Sequence, residues 1–255
     1  WEKEKLDMAK TKFGYKDINS SEKPDMVNSI FTSVSNKYDI MNDLMSFGLH
    51  RFWKEQFIRM CDVSSAKNAL DIACGTGDIS LKIMKQNSSI KLTCLDPNKE
   101  MLEICKQKLI NNGFTNTHFQ VKGIEDYFPK SKQYDLITVA FGFRNFTNHE
   151  KAIRNIYNIL SPGGKFMILD FKKPRNDVYS QLFKMYTLNI IPKIGKIVAN
   201  DEDSYRYLGE SIQTYFSPNE INDMLKKSGF IQTRIVNLIE DVATIHLGYK
   251  TWLMI

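Results

Sequence analysis

The chain has 255 residues, 42% of them hydrophobic and 25% charged, with a formal net charge of +6. This is the composition of a soluble globular protein of one large or two small domains. No apolar run approaches the ~18 residues a membrane span needs, and no signal peptide is visible. The positive excess is scattered as isolated lysines and pairs such as Lys172-Lys173, which reads as solvated surface and speaks against a nucleic-acid stripe.

Residues 1–21 are lysine-rich and expected to be loosely held. A helix follows, capped by Ser20 or Ser21 with Pro24 in its first turn, and Met26, Val27, Ile30, Phe31 and Val34 form its apolar face. From Lys37 to Lys54, methionines and aromatics alternate with carboxylates, an amide, His50 and Arg51. That mixture suits an amphiphilic pocket wall. It suits equally a polar-capped helix packed on the core, and composition leaves the two readings level.

Ala69, Leu70, Ile72 and Ala73 form a short apolar run that enters Gly75-Thr76-Gly77, and an amphipathic segment with Ile79, Leu81, Ile83 and Met84 follows. The pattern is strand, glycine turn, helix. A glycine has no side chain to keep backbone away from a ligand. The next strand, Lys91–Asp96, ends in an acid close to the ~20-residue offset at which a carboxylate meets ribose hydroxyls. An ionised carboxylate can accept both donors of a vicinal diol. The turn is not the dinucleotide fingerprint. Ala73 stands where a first glycine is usual, which is tolerable if its φ is negative, and no third glycine follows to seat a pyrophosphate.

The pattern then gives a helix over 98–112 ended by Gly113, a strand over Thr117–Val121, and a loop Gly123-Ile124-Glu125-Asp126. A buried strand, Tyr134–Ala140, points into Phe141-Gly142-Phe143-Arg144-Asn145. Ligands in such folds bind beyond the carboxyl ends of the central strands, so this loop lies at a ligand junction. A helix over His149–Leu160, a turn at Pro162-Gly163-Gly164 and a strand over Lys165–Phe171 come next. Residues 174–217 are an insertion rich in Tyr, Phe, Leu and Ile, expected to be a lid or a dimer surface. A helix at Pro218–Lys227 and an antiparallel pair, Phe230–Leu238 with Val242–Trp252, complete the chain. Cys61, Cys74, Cys94 and Cys105 form no Cys-x-x-Cys and have no histidine at ligand spacing. They read as reduced core thiols, with no metal site.

An acid before a glycine turn and a second acid after the next strand resemble S-adenosylmethionine-dependent methyltransferases of the Rossmann-like class. Three longer motifs sharpen the likeness: Tyr38-Asp39-x-Met41-Asn42-Asp43-x-Met45-Ser46-x-Gly48-x-His50-Arg51-x-Trp53-Lys54; Phe141-Gly142-x-Arg144-Asn145; and Val198-Ala199-Asn200-Asp201-x-Asp203-Ser204-Tyr205-Arg206-Tyr207-Leu208-x-Glu210-Ser211-Ile212. They are similar to motifs of the ubiquinone/menaquinone biosynthesis C-methyltransferases, and the likeness runs from about Phe13 to Tyr249. It implies one α/β domain over 1–255, a Rossmann-like class I methyltransferase. Its mostly parallel seven-stranded sheet would have a final antiparallel strand and helices on both faces, with 22–60 as a helical cap and 174–217 as the lid.

The implied cofactor is S-adenosyl-L-methionine. By the same resemblance Asp71 lies near its amino-acid part, Asp96 takes the ribose and Ile124 meets the adenine. Gly75, Thr76, Gly77, Pro97, Gly123 and Ala140 surround it. Ala140 stands where some relatives carry serine and supplies no side-chain hydrogen bond. The implied substrate is a polyprenylated methoxy-benzoquinol, methylated on a ring carbon, with Met45, His50 and Tyr205 against it. Arg144 is the implied catalytic cation, acting through a water with Asn145 and Tyr38. A guanidinium stays protonated and is no base itself; Asp39, Asp170 and His50 are candidate proton acceptors.

A peripheral membrane surface, a second copy of the chain and other quinone-biosynthesis proteins are the implied partners. The expected location is the matrix side of the mitochondrial inner membrane, favoured by the start at Trp1 and a lysine/asparagine-rich composition, or the cytoplasm of a bacterium. Menaquinone-pathway methylation and a non-catalytic scaffold that binds cofactor and quinol are the alternatives.

Overall fold

Residues 10–129, 134–238 and 241–252 are described by the computed structural model; the side chains of Asn36, Tyr38, Asp39 and Met45 fall outside that description. Of the segment 1–21 expected to be loosely held, residues 1–9 lie outside the described residues, and residues 10–19 form a hairpin of β1 (Lys10–Phe13) and β2 (Lys16–Asn19), paired antiparallel. Gly14 sits in its turn at φ +57, where an added Cβ would meet Glu210. The hairpin is thus seated on a helix almost two hundred residues later.

Three helices cross from the hairpin to the sheet: α1 (Lys23–Val34), α2 (Tyr38–Ser46) and α3 (Leu49–Cys61). Neither Ser20 nor Ser21 caps α1; Glu22 holds the N-cap position and makes no side-chain cap bond, and Pro24 occupies the first turn, where a missing N–H costs nothing. Phe47 and Gly48, both at positive φ, turn α2 into α3.

The sheet follows. It contains β3 (Asn68–Ile72), β4 (Lys91–Asp96), β5 (Thr117–Val121), β6 (Tyr134–Ala140), β7 (Leu160–Phe171), β8 (Ile231–Asn237) and β9 (Ala243–Tyr249). Their order is β5-β4-β3-β6-β7-β9-β8. The first five pair in parallel, and β9 runs antiparallel to both of its neighbours. Alternate residues of β3 feed two apolar cores: Ala69 enters one, Leu70 and Ile72 the other. Helices α3, α4 (Asp78–Gln86) and α5 (Lys99–Asn111) supply Trp53, Ile83 and Leu109 to the first core. Helices α6 (His149–Ile159) and α10 (Pro218–Lys227) supply Ile153 and Leu225 to the second. Caps mark the boundaries: Asn98 accepts from Met101 N, Asn148 from Lys151 N, and Ser217 forms a capping box with Glu220.

The turn expected at Pro162-Gly163-Gly164 is instead part of β7. Its pairing with β6 slips from Tyr134↔Leu160 to Leu136↔Lys165, which absorbs those residues as a bulge. The long insertion folds as α7 (Asp177–Met185), a π-turn (Tyr186–Ile190), α8 (Ile191–Ala199) and α9 (Glu202–Gln213). Gly195 lets α8 lie directly on the Tyr205 ring of α9, where a Cβ would come within 2.3 Å of it.

Candidate active site

A cavity of about 1550 Å³ opens beyond the carboxyl ends of β3, β4 and β6. One small-molecule site takes roughly 300–1,000 Å³, so there is room for two ligands. Along α1, Lys23, Val27, Asn28 and Phe31 recur at helical spacing and line one wall. The hairpin contributes Lys10 and Lys12, and α9 contributes Tyr207 and Ser211.

One end of the cavity is built from the sheet. Asp96 is buried at the tip of β4. Its Oδ2 accepts from Gly75 N at 2.8 Å and its Oδ1 from Asn98 N at 2.8 Å. Each carboxylate oxygen has two acceptor positions, so capacity remains for a diol. Burial pushes this carboxyl up to about 6 despite those two backbone donors. Gly75, Pro97, Gly123, Ile124 and Ala140 line the same end. The chain turns away from β3 at Ala73, whose φ is +50, not the negative value the sequence reading asked of it. The crossing is possible because Gly142 stands opposite; a Cβ there would lie 2.6 Å from the Ala73 Cβ. Phe141 next to it is also at positive φ, +57. A left-handed non-glycine residue costs ~1–2 kcal/mol, and strain of this kind gathers at ligand sites.

The other end carries Arg144. Its guanidinium is buried against Asp170, Nη1 to Oδ1 at 2.8 Å, and its backbone N–H donates to Asp170 Oδ2 at 3.0 Å. It also donates to Ser211 Oγ at 3.3 Å and to the Phe141 carbonyl, and lies over the Phe171 ring. Burial raises the Asp170 carboxyl while Arg144 pulls it back. Arg144 lines the cavity and Asp170 does not, so Asp170 holds the cation from behind. Next to it, Asn145 Oδ1 accepts from the Tyr207 hydroxyl at 3.0 Å, while its Nδ2 is buried with no partner. The Tyr207 ring stacks on Phe13 of the hairpin at 4.3 Å. Tyr215 also lines the cavity, with a buried, unpartnered hydroxyl.

Several expected site residues lie elsewhere. Asp71 is buried near the end of β3, where it lines a small cavity beside the turn and accepts from Ser80 Oγ at 2.6 Å and Thr138 Oγ1 at 2.8 Å. Burial pushes its carboxyl up to about 7, and it braces α4 and β6. Gly77 caps α4 at φ +84 and packs on α5, where a Cβ would come 2.6 Å from Cys105 Sγ. Thr76 is buried and lines a small neighbouring cavity of about 20 Å³. His50 bonds Asp43 at 2.9 Å and Tyr205 packs on α8; neither lines the large cavity. The side chains of Tyr38, Asp39 and Met45 lie outside the described residues.

Sequence reading missed Lys23. It is buried, donates to the Phe146 carbonyl at 2.8 Å and lines the cavity. Burial brings its ammonium down to about 8, with Glu125 opposing. A lysine among polar residues at a helix start gave no signal; only the carbonyl 123 positions later reveals it.

A strand-end carboxylate, a side-chain-free turn and an apolar Ile124 wall fit a nucleoside, and the comparisons with known proteins give the class. A profile of the ubiE/COQ5 methyltransferase family matches residues 17–250. The chain belongs to this family. The ubiquinone/menaquinone biosynthesis C-methyltransferase UbiE of Rickettsia bellii (strain OSU 85-389) is 43% identical, covering 95% of this chain and 100% of that protein. The protein of that name from Pseudoalteromonas translucida is 40% identical over 94% of this chain and 96% of its own. Among solved structures, the plantazolicin methyltransferase BpumL superposes with a TM-score of 0.60 at 16% identity, covering 90% of this chain and 99% of that one. The chain is therefore an S-adenosylmethionine-dependent methyltransferase of class I fold. These matched relatives are bacterial, which lends the mitochondrial expectation no support. No helix among the described residues is long and apolar enough to cross a membrane.

Proposed function

We propose that this methyltransferase C-methylates a polyprenylated methoxy-benzoquinol in ubiquinone biosynthesis. The supporting observation is a single cavity that joins a ribose-type carboxylate, Asp96, to a buried cation, Arg144, with volume for two ligands. When bound, S-adenosylmethionine supplies a sulfonium-activated methyl group. The chain's residues do the rest. Asp96 accepts from the ribose hydroxyls, and the strained Ala73–Gly142 crossing keeps backbone close to the ligand. Arg144 favours the ionised quinol hydroxyl: a phenol near ~10 falls by ~1–3 units beside a cation. At that value the proton passes to water, and neither Asp170 nor His50 is needed as a base. Ionisation feeds electron density to the ring carbon, which gains a methyl group and in exchange loses a proton. Asn145 Nδ2 is a spare donor for the quinol oxygen, and Tyr207 fixes its orientation. Lidding by the hairpin, α1 and α9 excludes water.

The apolar tail needs a way in, and each buried methylene contributes about 0.8 kcal/mol. Helices α7 and α8 and the π-turn between them turn Leu182, Met185, Ile190 and Ile197 outward, with Ile197 85% exposed, beside Phe47 at 74%. Phe47 stacks on Tyr186, and the Tyr186 hydroxyl donates to the Leu44 carbonyl, so the two regions adjoin. Exposed Lys184, Lys193 and Lys196 stand among them. An apolar face set with lysines suits an anionic bilayer surface, from which the quinol would be taken. The finer placement proposed, the matrix face of the mitochondrial inner membrane, is drawn from the lysine- and asparagine-rich composition.

The deciding experiment gives the full chain labelled S-adenosylmethionine and a reduced, prenylated demethyl-quinol. Label on a ring carbon is expected, together with co-sedimentation on anionic vesicles that Ile197→Glu weakens. Cofactor binding without transfer would favour the scaffold reading, and transfer to demethylmenaquinol alone would favour the menaquinone pathway. A concentration-dependent dimer that never meets vesicles would assign the apolar face to a second copy.

A further inference from the structure

The fold gathers three cysteines that the sequence keeps apart. Cys74 follows the β3 strand in the cofactor turn, Cys94 is in β4 and Cys105 is in α5, and all three are buried. Their Sγ atoms lie within 4.8 Å of one another. For sulfurs so placed, a point exists no more than about 2.8 Å from all three, about half an ångström beyond a Zn–S bond of ~2.3 Å. We propose that Cys74, Cys94 and Cys105 bind one soft divalent d¹⁰ cation, zinc or its congener cadmium, and that filling this site changes the affinity for the cofactor.

The chemistry favours such an ion. Three thiolates select soft metals, and the Ser80 hydroxyl beside them, which accepts from Cys94 Sγ at 3.3 Å, is neutral. Binding releases one proton from each thiol and leaves a complex of net charge −1. The cations beside the cluster are Lys108 and Lys54, which share the single Asp78 carboxylate at 2.6 and 2.7 Å. Cys74 also lines the 20 Å³ cavity beside Thr76 and Asp78, a volume large enough for one water. The coupling follows from position. Cys74 sits between Ala73 and Gly75, and Cys105 packs under Gly77, so an ion would tie the cofactor turn to β4 and α5. Sites that share a structural element influence each other reciprocally.

The test is a cadmium titration of the reduced, metal-free full chain, followed by sulfur-to-cadmium charge-transfer absorbance. One ion per chain is expected, undiminished in Cys61→Ala and lost in Cys94→Ala and Cys105→Ala, with circular dichroism reporting whether those variants fold. The unaltered chain and Cys61→Ala decide stoichiometry even if they do not. Calorimetry with S-adenosylhomocysteine should then show an affinity change of at least about fivefold between the cadmium-loaded and metal-free forms. Absence of the band, its persistence in a folded Cys94→Ala or Cys105→Ala chain, or an unchanged affinity would overturn the proposal.

Discussion

The two ends of the large cavity are built on different plans. Its cofactor end is made of strand tips: Asp96, Gly75, Ile124 and Ala140 lie at or just beyond the ends of adjacent parallel strands, fixed by the sheet's own pairing. The Arg144 end borrows its walls from far along the chain. Ser211 and Tyr207 come from α9, and they and Arg144 are backed by Phe13 of the hairpin and Asp170 at the end of β7. A site on strand tips is rigid before its ligand arrives. A wall assembled from a hairpin and an inserted helix can open and close, as a bulky prenylated substrate requires. Under the proposed function the difference is a division of labour: affinity for the cofactor would belong to the sheet, and turnover to the borrowed wall.

Four substitutions test that division. Arg144→Gln removes the cation and keeps a hydrogen-bond donor for Asp170; kcat should fall by ~10²–10³ while calorimetric affinity for S-adenosylhomocysteine stays within a factor of three. Loss of both together would mean that the two ends are one unit. Asp96→Asn should do the reverse, weakening cofactor binding by ~10–100-fold, the worth of hydrogen bonds to a charged group. Its pH dependence has a sign. In the unaltered chain Asp96 is protonated below about 6, so cofactor affinity should rise as pH climbs through 6, and in Asp96→Asn that rise should vanish from an isothermal titration series. A smaller effect is expected from Tyr207→Phe. The stack on Phe13 survives and only the bond to Asn145 is lost, so kcat should drop by roughly 2–10-fold with cofactor binding untouched; an unchanged kcat would remove Tyr207 from the account. The smallest is Ala73→Gly, which relieves a left-handed alanine and should raise thermal stability by about 0.5–1 kcal/mol in calorimetry. Destabilisation would show that Ala73 is not strained.

The sequence made the cofactor end legible because its signals are local. A glycine turn after an apolar run and an acid at the end of the next strand are read from thirty contiguous residues. The conformation of Ala73 was hidden, because it depends on the missing Cβ of Gly142 across the cleft. The C-terminal motif pointed to the right helix and the wrong face: Tyr205 and Tyr207 are two positions apart, about 200° around a helix, and only Tyr207 reaches the cavity. Gly77 and Asp71 lie outside the large cavity, Gly77 packed on Cys105 and Asp71 lining the small cavity beside the turn, a distinction that depends on tertiary packing and not on the motif. Lys23 and the three clustered thiols are contacts between distant segments, and such contacts leave no periodicity to read.

The central claim is that one cavity seats the activated methyl group at the Asp96 end and the quinol ring at the Arg144 end. A crystal structure of the full chain with S-adenosylhomocysteine and a prenylated quinol analogue tests it most directly. The ribose should be held by Asp96, with a quinol oxygen within hydrogen-bond reach of Arg144 or Asn145 Nδ2. A ring bound outside this cavity, or a cofactor whose ribose does not meet Asp96, would contradict it.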